Sequence, residues 1–145
     1  MTESVSRRKT LHLLLAAASA PTAMFACSSA YGPAAFGDVA AGNISALPSG
    51  TLKLVSGAPA IVGRDINGVY AMTTTCTHQG CDMSNGVTDT SVDCRCHGSR
   101  FDANGNPTGG PAQTALDHFA VTVDSAGIIT VHGGSIVDSS VRVKV

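Results

Sequence analysis

Two short boxes of cysteine and histidine constrain this chain more than anything else in it. The first reads Cys76-Thr77-His78-Gln79-Gly80-Cys81 and the second Cys94-Arg95-Cys96-His97-Gly98-Ser99, with residues 82–93 between them. Cys76 with His78, and Cys94 with His97, offer two thiolates and two imidazoles from two loops. That donor set suits a four-coordinate zinc ion, or a two-iron, two-sulfide cluster in which histidines replace cysteines on one iron. Cys81 and Cys96 weigh toward iron. A closed zinc site takes four ligands and leaves two thiols without a role.

Around the boxes the chain reads as strand. Residues 51–55 form a short β-like run that breaks at Gly57 and Pro59. Residues 60–65 and 69–72 flank Asn67-Gly68, the pattern of a type I′ hairpin, which delivers the chain to the first box. Met83, Val87 and Val92 mark a small excursion between the boxes. Residues 99–102 read as a strand turned by Asn104-Gly105, and residues 119–123 and 128–131 as a pair joined across 124–127. The tail, 141–145, alternates strictly and reads as an edge strand with Arg142 and Lys144 facing water. The expected fold is all-β, stacked antiparallel sheets with a cluster-binding subdomain formed by two loops. Only 4% of residues are aromatic and tryptophan is absent, so the core rests on Val, Ile, Leu and Ala, and cross-links or a cofactor are plausible staples. The formal net charge of −1 provides no basic footprint for nucleic acid.

Both boxes resemble those of a Rieske iron–sulfur protein, of the disulfide-containing type found in quinol-oxidising cytochrome bc complexes. The resemblance runs over about residues 46–132 and includes Ser99-Arg100-Phe101-Asp102 and Gly109-Gly110-Pro111-Ala112, where the family has a third, proline-containing loop. It implies a [2Fe–2S] cluster with Cys76 and Cys94 on the inner iron and His78 and His97 on the outer, solvent-near iron. It implies a disulfide between Cys81 and Cys96. It also implies that the Ser99 hydroxyl bonds a bridging sulfide, and it places Gly110 and Pro111 beside the cluster. High-potential members carry a tyrosine where this chain has Phe101, so one donor to a cysteine ligand is missing here.

The function the resemblance implies is one-electron transfer, as a carrier or small subunit of an exported redox complex, with no catalytic residues of its own. Its partners would be a quinol-oxidising cytochrome b, a molybdenum enzyme or a c-type cytochrome. Alternatives are the ferredoxin of a ring-hydroxylating oxygenase and a zinc-stabilised binding module. Arg95 and Arg100 flank the second box as solvated charges within reach of an acidic partner. His118 and His132 read as surface or capping residues, not ligands.

The N-terminus reads as an address. Ser6-Arg7-Arg8-Lys9-Thr10-Leu11 resembles the twin-arginine export motif, and the apolar run after it is short of a membrane span. Met24-Phe25-Ala26-Cys27-Ser28-Ser29 resembles a lipoprotein cleavage site, which would make Cys27 the lipidated residue; cleavage after Ala18-Ser19-Ala20 or retention as a short anchor are the rivals. The expected organisation is a leader over 1–27, a flexible tether over 28–45 and the cluster domain over 46–145. The expected location is periplasmic or otherwise extracytoplasmic, with a membrane tether through the N-terminus.

Overall fold

The computed structural model describes residues 32–145. The leader and Cys27 lie outside the described residues. Nine strands follow in order: β1 (Asp38–Asn43), β2 (Thr51–Leu54), β3 (Ala60–Asp65), β4 (Gly68–Thr73), β5 (Ser91–Asp93), β6 (Arg100–Asp102), β7 (Pro107–Gly109), β8 (His118–Val123) and β9 (Ile128–Val137). Among the described residues the helical turns are of the tight 3-10 kind, Ile44–Ala46 and Ser84–Gly86. The strands form a six-stranded antiparallel sheet in the order β1-β9-β8-β4-β3-β2 and a three-stranded sheet in the order β5-β6-β7.

β3 and β4 are the wall between two cores. All six residues of β4 are buried, as are the first four of β3, because the pair is covered on both faces. Side chains alternate along a strand, so Ile61, Tyr70 and Met72 point one way, with Leu52, Met83, Val92, Phe101, Leu116, Cys76 and Cys94. Val62, Val69 and Ala71 point the other way, with Phe119, Val121, Ile129 and Val131. Phe101 and Phe119 are the largest fully buried side chains, one in each core, each contributing on the order of 2–3 kcal/mol through burial. The first core lies directly beneath the two boxes.

Three expectations are corrected. The stretch read as a tether already contains β1, which pairs with β9 from Asp38↔His132 to Asn43↔Ile128. The β3–β4 hairpin forms, but its turn centres on Ile66-Asn67. A type I′ turn needs positive φ at both central residues, and among the described residues no residue other than glycine adopts it. Instead Asp65 Oδ1 accepts the N–H groups of Asn67 (2.7 Å) and Gly68 (3.1 Å). Gly68 then closes the turn at φ 140°, where a Cβ would sit 2.3 Å from the Val143 carbonyl oxygen.

The tail is the third correction. It makes one bridge, Val69↔Val143, and Arg142 turns inward. Its Nε donates to Asp65 Oδ2 at 2.7 Å, and its Nη1 to the Ser139 and Val141 carbonyls at 2.8 and 2.9 Å. Its Nη2 donates to Asn104 Oδ1, and the guanidinium carbon sits 3.9 Å from the Tyr70 ring centroid. Tyr70 donates its hydroxyl to the Ala103 carbonyl at 2.7 Å, and burial pushes its pKa up to about 12. His118 belongs to the same assembly. It is buried rather than on the surface, stacks on Tyr70, and meets the Leu116 carbonyl through Nδ1 at 3.1 Å. Burial holds its pKa below the usual histidine value, so the ring is neutral. His132 is half-buried between Asp38 (2.9 Å) and Thr122 (3.0 Å), well away from the boxes in the register of β9.

Candidate metal centre

The two boxes are the same backbone loop used twice. In the first, Cys76 N–H donates to the Cys81 carbonyl at 2.9 Å and Gly80 N–H to the Cys76 carbonyl at 2.8 Å. In the second, Cys94 N–H donates to the Ser99 carbonyl at 2.8 Å and Gly98 N–H to the Cys94 carbonyl at 3.0 Å. Each loop turns on a glycine, at φ 73° for Gly80 and 79° for Gly98, a conformation other residues rarely adopt. β4 leads into the first loop. β5 and β6 enter and leave the second.

This framework places the four candidate ligands in two pairs. Cys76 and Cys94 are free thiols only 1% and 2% exposed, packed among Met83, Val92, Phe101 and Ala112. Burial raises the Cys94 pKa, and the hydrogen bond it shares with the Cys76 thiol raises it further. Without a cation the Cys94 thiol therefore holds its proton more firmly than a free one, and iron is what would draw it off. Above them, His78 is half-buried and His97 exposed, with ring centroids 5.0 Å apart and planes at 87°. The Nδ1 of His78 is buried and has no partner in the protein. An orphaned buried nitrogen costs free energy unless something ligates it or bonds it.

The remaining expected residues complete the frame. Cys81 and Cys96 form a disulfide with Cα atoms 6.6 Å apart, tying the first loop to the second. Ser99 is fully buried, and its Oγ accepts the Ala112 N–H at 3.2 Å, so its own proton remains available to a group beside it. Phe101 is fully buried in the core that also holds both thiols. Gly110, at φ 80°, lies against the second box so closely that a Cβ would be 2.3 Å from the Gly98 carbonyl oxygen. Pro111 is exposed beside it. One tie has no local signal in the sequence: Thr77 donates its hydroxyl to the Thr114 carbonyl at 2.7 Å, across thirty-seven residues. The third loop is thus fastened to both boxes.

These residues fit a [2Fe–2S] cluster better than a single ion. The donors form a sulfur pair below and a nitrogen pair above, not four atoms around one point. Among the described residues, the metal-capable group with donor atoms within 4.8 Å of one another is Cys81, Cys94 and Cys96, two of which are spent on the disulfide.

Comparison with known proteins agrees. Cytochrome b6-f complex iron-sulfur subunit of Synechococcus sp. (strain WH7803) is 33% identical over 95 residues, 61% of this chain and 53% of that protein. Cytochrome bc1 complex Rieske iron-sulfur subunit of Corynebacterium diphtheriae is 41% identical over 70 residues, 46% of this chain and 17% of that protein. This chain therefore spans about half or less of the curated relatives it matches. Among solved structures, a chain of the complex of reduced oxygenase and oxidized ferredoxin in carbazole 1,9a-dioxygenase superposes with a TM-score of 0.51 at 28% identity. That match covers 70% of this chain and 97% of the other. The family model described as Rieske [2Fe-2S] domain matches residues 38–120, a span that holds both boxes and the third loop. With more than half the chain inside that match, the chain belongs to the Rieske [2Fe–2S] domain family.

Proposed function

We propose that this chain carries single electrons as the iron–sulfur subunit of an exported, cytochrome-type redox complex. The observation that carries the reading is the buried thiol pair beneath a more exposed imidazole pair, in two loops locked by a disulfide. When bound, a [2Fe–2S] cluster with two thiolate ligands supplies a one-electron couple that is neutral when both irons are ferric and carries −1 when reduced. Cys76 and Cys94 would hold the inner side away from water. His78 and His97 would hold the outer side, and the exposure of His97 leaves only its ring between that side and a partner. Two imidazoles in place of two more thiolates remove negative charge, and the Ser99 proton adds a donor, so the potential belongs in the upper half of the family's range of about −150 to +300 mV. Phe101 offers no hydroxyl and keeps it short of the top.

The partner reading draws on the relatives named as subunits of cytochrome b6-f and bc1 complexes; a molybdenum enzyme or a c-type cytochrome would use the same exposed face. The leader reading adds twin-arginine export, lipidation at Cys27 and a periplasmic location, in which the cluster is inserted before export. Replacing Arg7 and Arg8 by lysine would then leave the precursor in the cytoplasm. A mature N-terminus other than Cys27 would reject the lipidation. The likeness to the oxygenase–ferredoxin structure favours a second reading, the ferredoxin of a ring-hydroxylating oxygenase. The Cys81–Cys96 disulfide and the export motif count against it, because such ferredoxins as a rule lack the first and remain in the cytoplasm.

The test is the metal content of protein purified with iron available. Two irons and two sulfides per chain and a Rieske-type EPR signal on reduction are expected; one equivalent of zinc instead would reject the reading. His97→Ala should lose the cluster, and His132→Ala should keep it.

A further inference from the structure

The charge on the described residues is unevenly placed. They hold six cations (Lys53, Arg64, Arg95, Arg100, Arg142, Lys144) and nine acids (Asp38, Asp65, Asp82, Asp89, Asp93, Asp102, Asp117, Asp124, Asp138), a formal −3. The three segments that make the tip, 76–81, 94–100 and 109–114, hold two of those cations and no acid, so their side chains carry +2 (2 − 1 = +1 with a reduced cluster) and the remainder 4 − 9 = −5. Arg95 and Arg100 are both exposed, and neither is in an ion pair among the described residues. Arg142, by contrast, is spent on Asp65. Two acids border the tip. Asp82, exposed at the base of the first box opposite Thr75, keeps its charge while it accepts the Ser84 N–H and hydroxyl, and Asp93 is half-buried opposite Arg100 in the β5–β6 register. Arg95, two residues before exposed His97, has no such counter-charge across the sheet.

Resting on the electron-transfer reading above, we infer that the basic lip made by Arg95 and Arg100 docks an acidic protein surface around the partner's redox group, against the sign of the chain's own net charge. At ordinary ionic strength the screening length is about 10 Å, so a partner arriving at His97 feels the tip and little of the negative far end. Clefts and rims of one sign raise encounter rates by tenfold or more and make them fall with salt. A negative net charge alone predicts the opposite: anions repelled, with rates rising as salt is added.

The experiment uses the cluster-loaded protein and two probes. In the first, reduced protein is mixed with hexacyanoferrate(III); one electron leaves the cluster and hexacyanoferrate(II) forms. The rate should fall as salt rises from about 0.05 to 0.5 M, and Arg95→Gln should cost about threefold at the low end, Arg100→Gln somewhat less because Asp93 faces it. A cationic oxidant, cobalt(III) tris-phenanthroline, should show the reverse slope. In the second, hexacyanochromate(III), which takes no electron here, is titrated while the arginine side-chain nitrogen signals are followed by NMR. Arg95 and Arg100 should broaden before Arg64. A hexacyanoferrate(III) rate that rises with salt, or one unmoved by both substitutions, overturns the inference, as does broadening of Arg64 first. Protein that holds no redox-active iron in the initial EPR check instead overturns the electron-transfer reading itself.

Discussion

Replacing both disulfide cysteines, as Cys81→Ala with Cys96→Ala, isolates what the cross-link contributes. A double substitution is needed because a single one leaves a free thiol competing for iron. Cys81 is half-buried and Cys96 exposed, so little packing is lost with them. The bond closes a separation of 15 residues, for which the chain-entropy relation predicts about 3 kcal/mol. Besides the disulfide, the two boxes meet through the His78–His97 ring contact and the buried Cys76 and Cys94, and are linked through the third loop by Thr77 to Thr114 and Ser99 to Ala112. The six-stranded sheet does not depend on either box. The lost energy should therefore appear as local opening of the tip, with the open state enriched on the order of a hundredfold. The assay is bleaching of visible absorption when oxidised, loaded protein is diluted anaerobically into an iron chelator, with far-UV circular dichroism as the control for the sheet. Cluster loss should accelerate by tens-fold to a hundredfold while the β signal holds. A half-life within twofold of the parent, or loss of the β signal, would refute the reasoning.

Three further outcomes follow from particular contacts. Gly110→Ala combines a positive φ, costing about 1–2 kcal/mol, with a Cβ driven onto the Gly98 carbonyl; it should lift the third loop, break the Ala112–Ser99 bond and speed chelator bleaching. Gly109→Ala, whose Cβ meets nothing closer than Arg100 Cδ at 4.0 Å, should not, and equal behaviour of the two would count against this account. Arg142→Ala removes the ion pair to Asp65, three further hydrogen bonds and the Tyr70 contact, and should cost about 2 kcal/mol in urea unfolding. Burial raises the Asp65 pKa, but Arg142 and the N–H groups of Asn67 and Gly68 outweigh it and hold it below the ordinary value. That contribution is present above about pH 4 and lost as pH falls through the lowered folded value, so the gap between parent and variant should narrow in acid. Phe101→Tyr, in the core shared with Cys76 and Cys94, should raise the midpoint potential in voltammetry; an unchanged or lower value would mean that its hydroxyl does not reach a ligand sulfur.

Much of this was legible because the informative residues are local. Cysteine, histidine and glycine at short spacing define each box, and the strand runs around Asn67-Gly68 and 124–127 carry their own turn chemistry. What was hidden depends on pairing at a distance. β1 lies in a Gly- and Ala-rich segment whose strand character comes from β9, more than eighty residues later, and no local period announces it. Arg142 alternates with Val141 and Val143 as an edge residue would, yet Asp65, Tyr70 and Asn104 are brought together by the fold into a socket that takes it. His118 followed the same path inward, because the Tyr70 face and the Leu116 carbonyl leave it a neutral, buried seat.

The difference between the boxes is the instructive case. By spacing they are unlike, Cys-x-His against Cys-x-x-His, and in sequence they read as two variants of a ligand pattern. In space they are one loop closed by the same two hydrogen bonds, with different side chains at matching positions. Two residues after the first thiol stands His78 in one loop and the disulfide partner Cys96 in the other. Five residues after it stands Cys81 in one and buried Ser99 in the other. The disulfide therefore joins the fifth-position residue of the first loop to the second-position residue of the second, and His97 takes the next place along. A symmetric pair of boxes, with histidine at the second position in both, would have no cysteine at that position to receive Cys81. The offset of one residue between the two spacings is thus what lets a single loop shape present four candidate ligands and a cross-link at once.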